Sequence, residues 1–108
     1  MTETEFERLA TATLARFAET LERNLGDAAE VDFQGGILTI VLDRGGTYVI
    51  NRHTPNRQIW LSSPRSGASH YGFDAARAAW IDTRSGRALA DVLAEELGEV
   101  ASGPLDLG

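Results

Sequence analysis

The sequence predicts an α+β fold, a two-layer sandwich in which two helices pack on one face of an antiparallel sheet of about five to six strands. Three observations lead there. Apolar residues recur at helical spacing near both ends, the middle holds β-rich runs separated by glycine pairs, and the order is therefore helix, strands, helix. Strands joined by tight turns pair antiparallel, and flanking helices bury their apolar stripes against one side of such a sheet.

The first helix rests on Phe6, Leu9, Ala10, Leu14, Phe17, Leu21 and Leu25, which recur at three- and four-residue steps and form one buried face. Thr2 and Glu5 have the capping-box spacing that satisfies free amides at a helix start, and Gly26 is the expected stop. The period then changes. "EVDFQGGILTIVLD" holds two strands either side of Gly35-Gly36, a two-residue hairpin signal, and "GGTYVIN" opens a third after Gly45-Gly46. "NRQIWLSS" is a fourth strand, entered through Thr54-Pro55; "ASHYGFD" and "AWIDT" supply a fifth and a sixth. The closing helix has Ser85 as its expected N-cap, Leu89, Val92, Leu93, Leu97 and Val100 as its stripe, and Gly103-Pro104 as its end. No repeat or linker interrupts this plan, so residues 1–108 read as a single domain.

Composition narrows the function classes. Without cysteine there is no disulfide, thiolate metal site, cysteine nucleophile or protein-held iron–sulfur cluster. No apolar run approaches the roughly 18 residues that span a bilayer. The segment "MTETEFERLA" has neither a secretory nor a transit pattern, so the expectation is a cytoplasmic protein, or a mature form already processed. The net charge is −6, and residues 1–32 carry most of it, with eight acids against three Arg. That segment repels phosphate backbones, which argues against nucleic acid and for a cation or a basic protein surface as partner.

No glycine-rich phosphate loop and no G-x-S-x-G serine is present, and His53 and His70 lack metal-ligand spacing and read as surface loop or strand residues. Two features remain. Glu19 and Glu22 are helix-surface neighbours turned away from the apolar stripe, and Asp27, Glu30 and Asp32 follow in the turn and first strand. Clustered carboxylates are hard ligands for divalent or trivalent cations, although without His or Cys such a site is open, hydrated and weak. A solvated acidic face explains the same residues. The second feature is Trp60. Ile59 and Leu61 share the natural buried face of their strand, so Trp60 falls on the other, with Asn56, Gln58 and Ser62. Near Asn51, Asn56, Arg57 and Gln58 it has the setting of an interface anchor. The alternative is a ring covered by the chain's own loop or C-terminal tail. Trp80, in "AAWIDT", has no such polar setting and reads as packed.

These residues resemble a known family. "GTYVINRHTPNRQIWLSSPRSG" is similar to the central signature of frataxin, called CyaY in bacteria; "DFQGGILTI" resembles its first hairpin and "AWIDTRSGRALADVLAEEL" its closing strand and helix. The resemblance implies a small, cofactor-free monomer of iron–sulfur cluster assembly, without haem or bound cluster, with oligomerisation in the presence of iron as a further expectation. It implies weak surface binding of ferrous and ferric iron at an acidic ridge, corresponding here to Glu3, Glu19, Glu22, Asp27, Glu30 and Asp32. It also implies binding to a cysteine desulfurase with its cluster scaffold protein, through a sheet surface corresponding to Asn51, Asn56, Arg57, Gln58 and Trp60. The expected function is regulation of cluster synthesis, with iron donation as a possible extension. The alternative is ferroxidase and iron-storage activity at the ridge. This chain departs from the pattern at Arg23, Leu25, Ala28 and Ala29, where relatives often carry carboxylates, so the ridge is thinned. It also carries His70 at a position that is basic in mitochondrial members, which makes that contact pH-sensitive. Arg65 is a candidate substitute for that basic group.

Overall fold

The computed structural model describes all 108 residues. Helix α1 (Glu3–Leu25) leads through a 3-10 turn (Gly26–Ala28) into strands β1 (Ala29–Gln34), β2 (Ile37–Leu42) and β3 (Thr47–His53). A second 3-10 turn (Thr54–Asn56) precedes β4 (Gln58–Ser63), β5 (Gly67–Asp74), β6 (Ala79–Asp82) and helix α2 (Leu89–Leu97). All six strands form one antiparallel sheet in chain order. The α+β sandwich expected from the sequence is the observed architecture.

Local chemistry accounts for α1. The Thr2 hydroxyl accepts from the Glu5 amide at 3.1 Å and the Glu5 carboxylate accepts from the Thr2 amide at 3.2 Å, so two otherwise free donors are satisfied reciprocally. Gly26 ends the helix at φ 51°, a left-handed conformation that costs glycine little. Phe6, Leu14, Phe17 and Leu21 pack on the inner face of the sheet, against Leu38, Ile40, Tyr48, Ile50, Ile59 and Leu61. Trp80 is packed, as expected: it is 4% exposed, meets Phe6 and Phe73 edge-on, and donates its indole N–H to the Thr13 hydroxyl at 3.1 Å.

The β1–β2 turn places Gly35 and Gly36 at φ 60° and 78°, as the two central positions of a type I′ turn require. Gly36 has a second reason to lack a side chain: a Cβ there would stand 2.7 Å from Arg52 Nε. The Arg52 guanidinium crosses this turn and donates to the Thr11 hydroxyl at 2.6 Å, which ties the sheet to α1.

The closing helix differs from its expected limits at both ends. Its N-cap is Ala88, without a side-chain cap, and not Ser85. The chain before Ala88 still belongs to the sheet: Asp82 N–H donates to the Arg87 carbonyl at 2.8 Å and Ala88 forms a bridge with Ile81. Those backbone groups cannot also start a helix. At the other end α2 stops at Leu97, well before Gly103-Pro104, and Val100 is 40% exposed. Ser102 instead donates its amide to the Asn24 carbonyl at 2.7 Å, leading the chain past the end of α1 so that Leu107 enters the core, 2% exposed. A polar clamp joins the β4–β5 turn to α2. The hydroxyls of Tyr48, Ser63 and Ser66 donate to the Glu96 carboxylate at 2.9, 2.6 and 2.7 Å.

Candidate functional site

Both helices cover one face of the sheet, so the other is open. Along β4 the side chains alternate as expected: Ile59 and Leu61 are buried, and Trp60 is half-buried on the open face. Pairing places Ile37, Asn51, Trp60 and His70 in one row across β2, β3, β4 and β5. The indole is neither bare nor covered by a loop or tail. His53 stacks on it with centroids 3.6 Å apart and planes 8° from parallel, and His70 stacks at 4.4 Å and 16°. Since β3 and β5 flank β4 on opposite sides, one imidazole lies on each face of the ring. Gln58 Oε1 accepts from the indole N–H at 2.9 Å, so the polar edge of Trp60 is also satisfied. Ile37 and Val41 add apolar surface toward β1, at 45% and 44% exposure.

The other residues expected around Trp60 divide. Asn51 lies beside it in the same row and donates its amide to the Arg52 carbonyl at 3.2 Å. Asn56 is exposed in the 3-10 turn that precedes β4, so it does not share the strand's alternation. Arg57 occupies a left-handed conformation, φ 53°, and its guanidinium folds back on the Thr54 carbonyl. It therefore belongs to the turn and not to the face around Trp60. Arg65 donates to the Glu96 carbonyl at 2.9 Å and pairs with Glu99 at 3.5 Å, so it serves α2 and does not substitute for a basic group beside Trp60. His70 occupies that position alone.

All six expected ridge carboxylates are exposed. Glu19 and Glu22 lie on the outer side of α1, Asp27 in the turn that follows, and Glu30 and Asp32 point outward from β1, the edge strand. Glu3 stands apart, separated from Glu19 by about 24 Å of helix rise. One residue was missed. Asp43 follows β2, donates its amide to the Ala28 carbonyl at 2.9 Å, and lines an open cleft with Asp27 and Glu30. Only the β1–β2 pairing brings it there. No three carboxylate or imidazole groups stand close enough to share one ion. The ridge therefore concentrates negative potential and offers single hard oxygen ligands, without a formed chelate. Of the positions that thin it, Leu25 is a core residue.

Two groups whose protonation the fold displaces lie at the polar clamp, away from the ridge and from Trp60. Burial pushes the Glu96 carboxyl up, but hydrogen bonds from Ser63, Ser66 and Tyr48 outweigh it and hold the group below its ordinary value. Burial, then the bond to Glu96, pushes Tyr48 up to about 12. The clamp is thus an ionised acceptor with neutral donors at neutral pH, a structural arrangement.

A family profile described as a frataxin-like domain matches residues 1–103. The chain belongs to the frataxin family. It is 40% identical over 110 residues to the mitochondrial frataxin of Arabidopsis thaliana, covering 97% of this chain and 58% of that protein. With the mitochondrial frataxin homolog of Schizosaccharomyces pombe it shares 36% identity over 110 residues, 98% of this chain and 70% of the other. Among solved structures, frataxin from Psychromonas ingrahamii superposes with a TM-score of 0.84 at 27% identity, over 100% of this chain and 99% of that one. A trimeric Saccharomyces cerevisiae frataxin complexed with ferrous iron matches with a TM-score of 0.75 at 35% identity, over 88% and 87% of the two chains. No helix of this frataxin-family chain is long and apolar enough to cross a membrane.

Proposed function

We propose that this protein regulates iron–sulfur cluster assembly by docking on a cysteine desulfurase–scaffold complex and modulating cluster synthesis, with iron weakly held at the acidic ridge. The observation that carries this reading is Trp60. A large aromatic ring stands half-buried on the uncovered face of the sheet, stacked and hydrogen-bonded so that it is preorganised there. Rigid aromatic groups amid hydrogen-bonding side chains are the usual centres of protein interfaces. In this reading Asn51, Gln58 and Trp60 meet the scaffold, with Asn56 and Arg57 at the rim of the contact. Glu19, Glu22, Asp27, Glu30 and Asp32 steer the protein onto a basic surface and attract ferrous iron; Glu3 acts only through the field.

The test is sulfide production by the desulfurase–scaffold complex with wild-type protein and with Trp60→Ala. Truncating a buried tryptophan anchor costs up to about 3 kcal/mol, roughly a hundredfold in Kd. A rate change that disappears in the variant is expected. Identical behaviour of the two proteins would remove the anchor from this reading.

A second reading, ferroxidase and iron storage, draws on the ferrous complex of the trimeric yeast relative. Hard oxygen ligands favour the ferric state, so carboxylate-bound ferrous iron is more readily oxidised by dioxygen. The dispersed ridge, with no three ligands in reach of one ion, weighs against a defined catalytic centre. Saturable oxygen consumption, abolished by Glu19→Gln with Glu22→Gln, would favour this second reading.

A further inference from the structure

The chain's two histidines are both stacked on Trp60, and neither forms an ion pair within the molecule. The ion pairs present are Arg65–Glu99 and Arg87–Glu95, both away from the stack. On the His53 side, Arg52 is engaged by Thr11, Arg57 by the Thr54 carbonyl, and Glu7 by the Thr54 hydroxyl at 3.4 Å. His53 Nδ1 is sealed from solvent without a hydrogen-bond partner. On the other side, exposed His70 shares a small polar hollow with Asp82 and Arg84. The Asp82 carboxylate accepts from the Arg84 amide at 2.8 Å, and the Arg84 side chain offsets its charge in the same hollow. With neither imidazole ion-paired, exposed His70 is open to a partner's carboxylate, while at His53, whose Nδ1 is sealed, only Nε2 can meet one.

We propose that the His53–Trp60–His70 stack is a proton-gated docking element that accepts a carboxylate-bearing protein segment. Imidazole is the side chain whose charge changes between about pH 5 and 8. An imidazolium over an indole face is held there by cation–π attraction, so protonation charges the patch without dismantling it. Trp60 supplies apolar area, and each protonated imidazole supplies a charged donor at its rim. The acidic edge strand β1 lies three strand spacings from β4, about 14 Å, so the open face is bipolar. It fits a partner that sets a basic patch against β1 and carboxylates against β3–β5. Because the docked state prefers the protonated stack, docking tightens as pH falls, and protons are taken up on association.

This inference rests on docking through the open face and deepens it. Calorimetric titration of the desulfurase–scaffold complex with the wild-type protein, between about pH 8 and 6, tests it within the imidazole range. The expected gain in affinity toward the lower pH is roughly tenfold, of the order of ordinary coupling between linked sites. The same titration in two buffers of different ionisation enthalpy should show net proton uptake. The His53→Gln, His70→Gln double variant should bind at the weak level throughout and lose the uptake. His53→Arg with His70→Arg, charged at every pH, should bind tightly throughout. A pH dependence that survives in the glutamine variant, or docking of the wild type that is pH-independent, would overturn the gating while leaving the docking face intact. No docking at any pH would overturn both.

Discussion

Trp60 and Glu96 show how single side chains divide the work between the two faces of the sheet. Trp60 points away from the core, so its truncation should leave stability within about 1 kcal/mol of wild type while weakening docking, a separation that urea unfolding beside a binding titration would reveal. Glu96 is the opposite case. It accepts from three hydroxyls, and Glu96→Ala should destabilise by about 2 kcal/mol at neutral pH, measured by urea unfolding. Its carboxyl is held below the ordinary value of 4.5, so the stability it contributes is present above that value and is lost as pH falls through the lower folded one. The difference between Glu96→Ala and wild type should therefore shrink as pH falls below 4.5. Neither role is written in local sequence: Tyr48, Ser63 and Ser66 meet Glu96 only once α2 lies over the sheet.

Elements whose signals are local were readable, and those that depend on remote backbone were not. Helix α1 carries its own capping box, stripe and stop, and the observed helix uses all three. Its cap gives a simple prediction: Thr2→Ala should cost about 1 kcal/mol and fray the first turn, visible as faster amide exchange there. The β1–β2 turn is equally local in its need for glycine, yet the reason for Gly36 is partly tertiary, because Arg52 crosses it to reach Thr11. Gly36→Ala should cost about 2 kcal/mol, more than Gly35→Ala, where a Cβ meets nothing within 4 Å. Comparison of the two midpoints in urea checks this. The start of α2 was misplaced at Ser85 because that residue has cap chemistry, while residues up to Ala88 are still paired with β6. Asn56 was misplaced for a related reason, since the 3-10 turn at Thr54–Asn56 delays the strand.

Over the whole molecule, packing and charge are separable. Leu107 reaches back between the layers to line a cavity with Leu9, Phe17, Trp80 and Leu89. Leu107→Ala should cost about 3 kcal/mol, and a thermal melt should fall by roughly 15 °C. The acidic face follows different physics. Most of the net charge of −6 resides in residues 1–32, on α1 and β1, so Glu19→Lys with Glu22→Lys should slow association with a basic surface several-fold at low salt. The effect should fade as ionic strength rises and the screening length falls below about 10 Å. The same double variant should leave the melting temperature nearly unchanged, because both side chains are exposed.

By itself the sequence determined the helix–sheet–helix order, the strand alternation that turns Trp60 outward, the acidic character of α1 and β1, and the absence of any thiolate chemistry. Each follows from residue type and spacing along a few neighbouring positions. Only the tertiary structure decided that His53 and His70 enclose Trp60, that Arg57 and Arg65 are engaged elsewhere, and that Asp43 joins Asp27 and Glu30. Those relations arise from strand register and from packing between residues distant along the chain, and periodicity within one segment carries no information about which segment lies beside it.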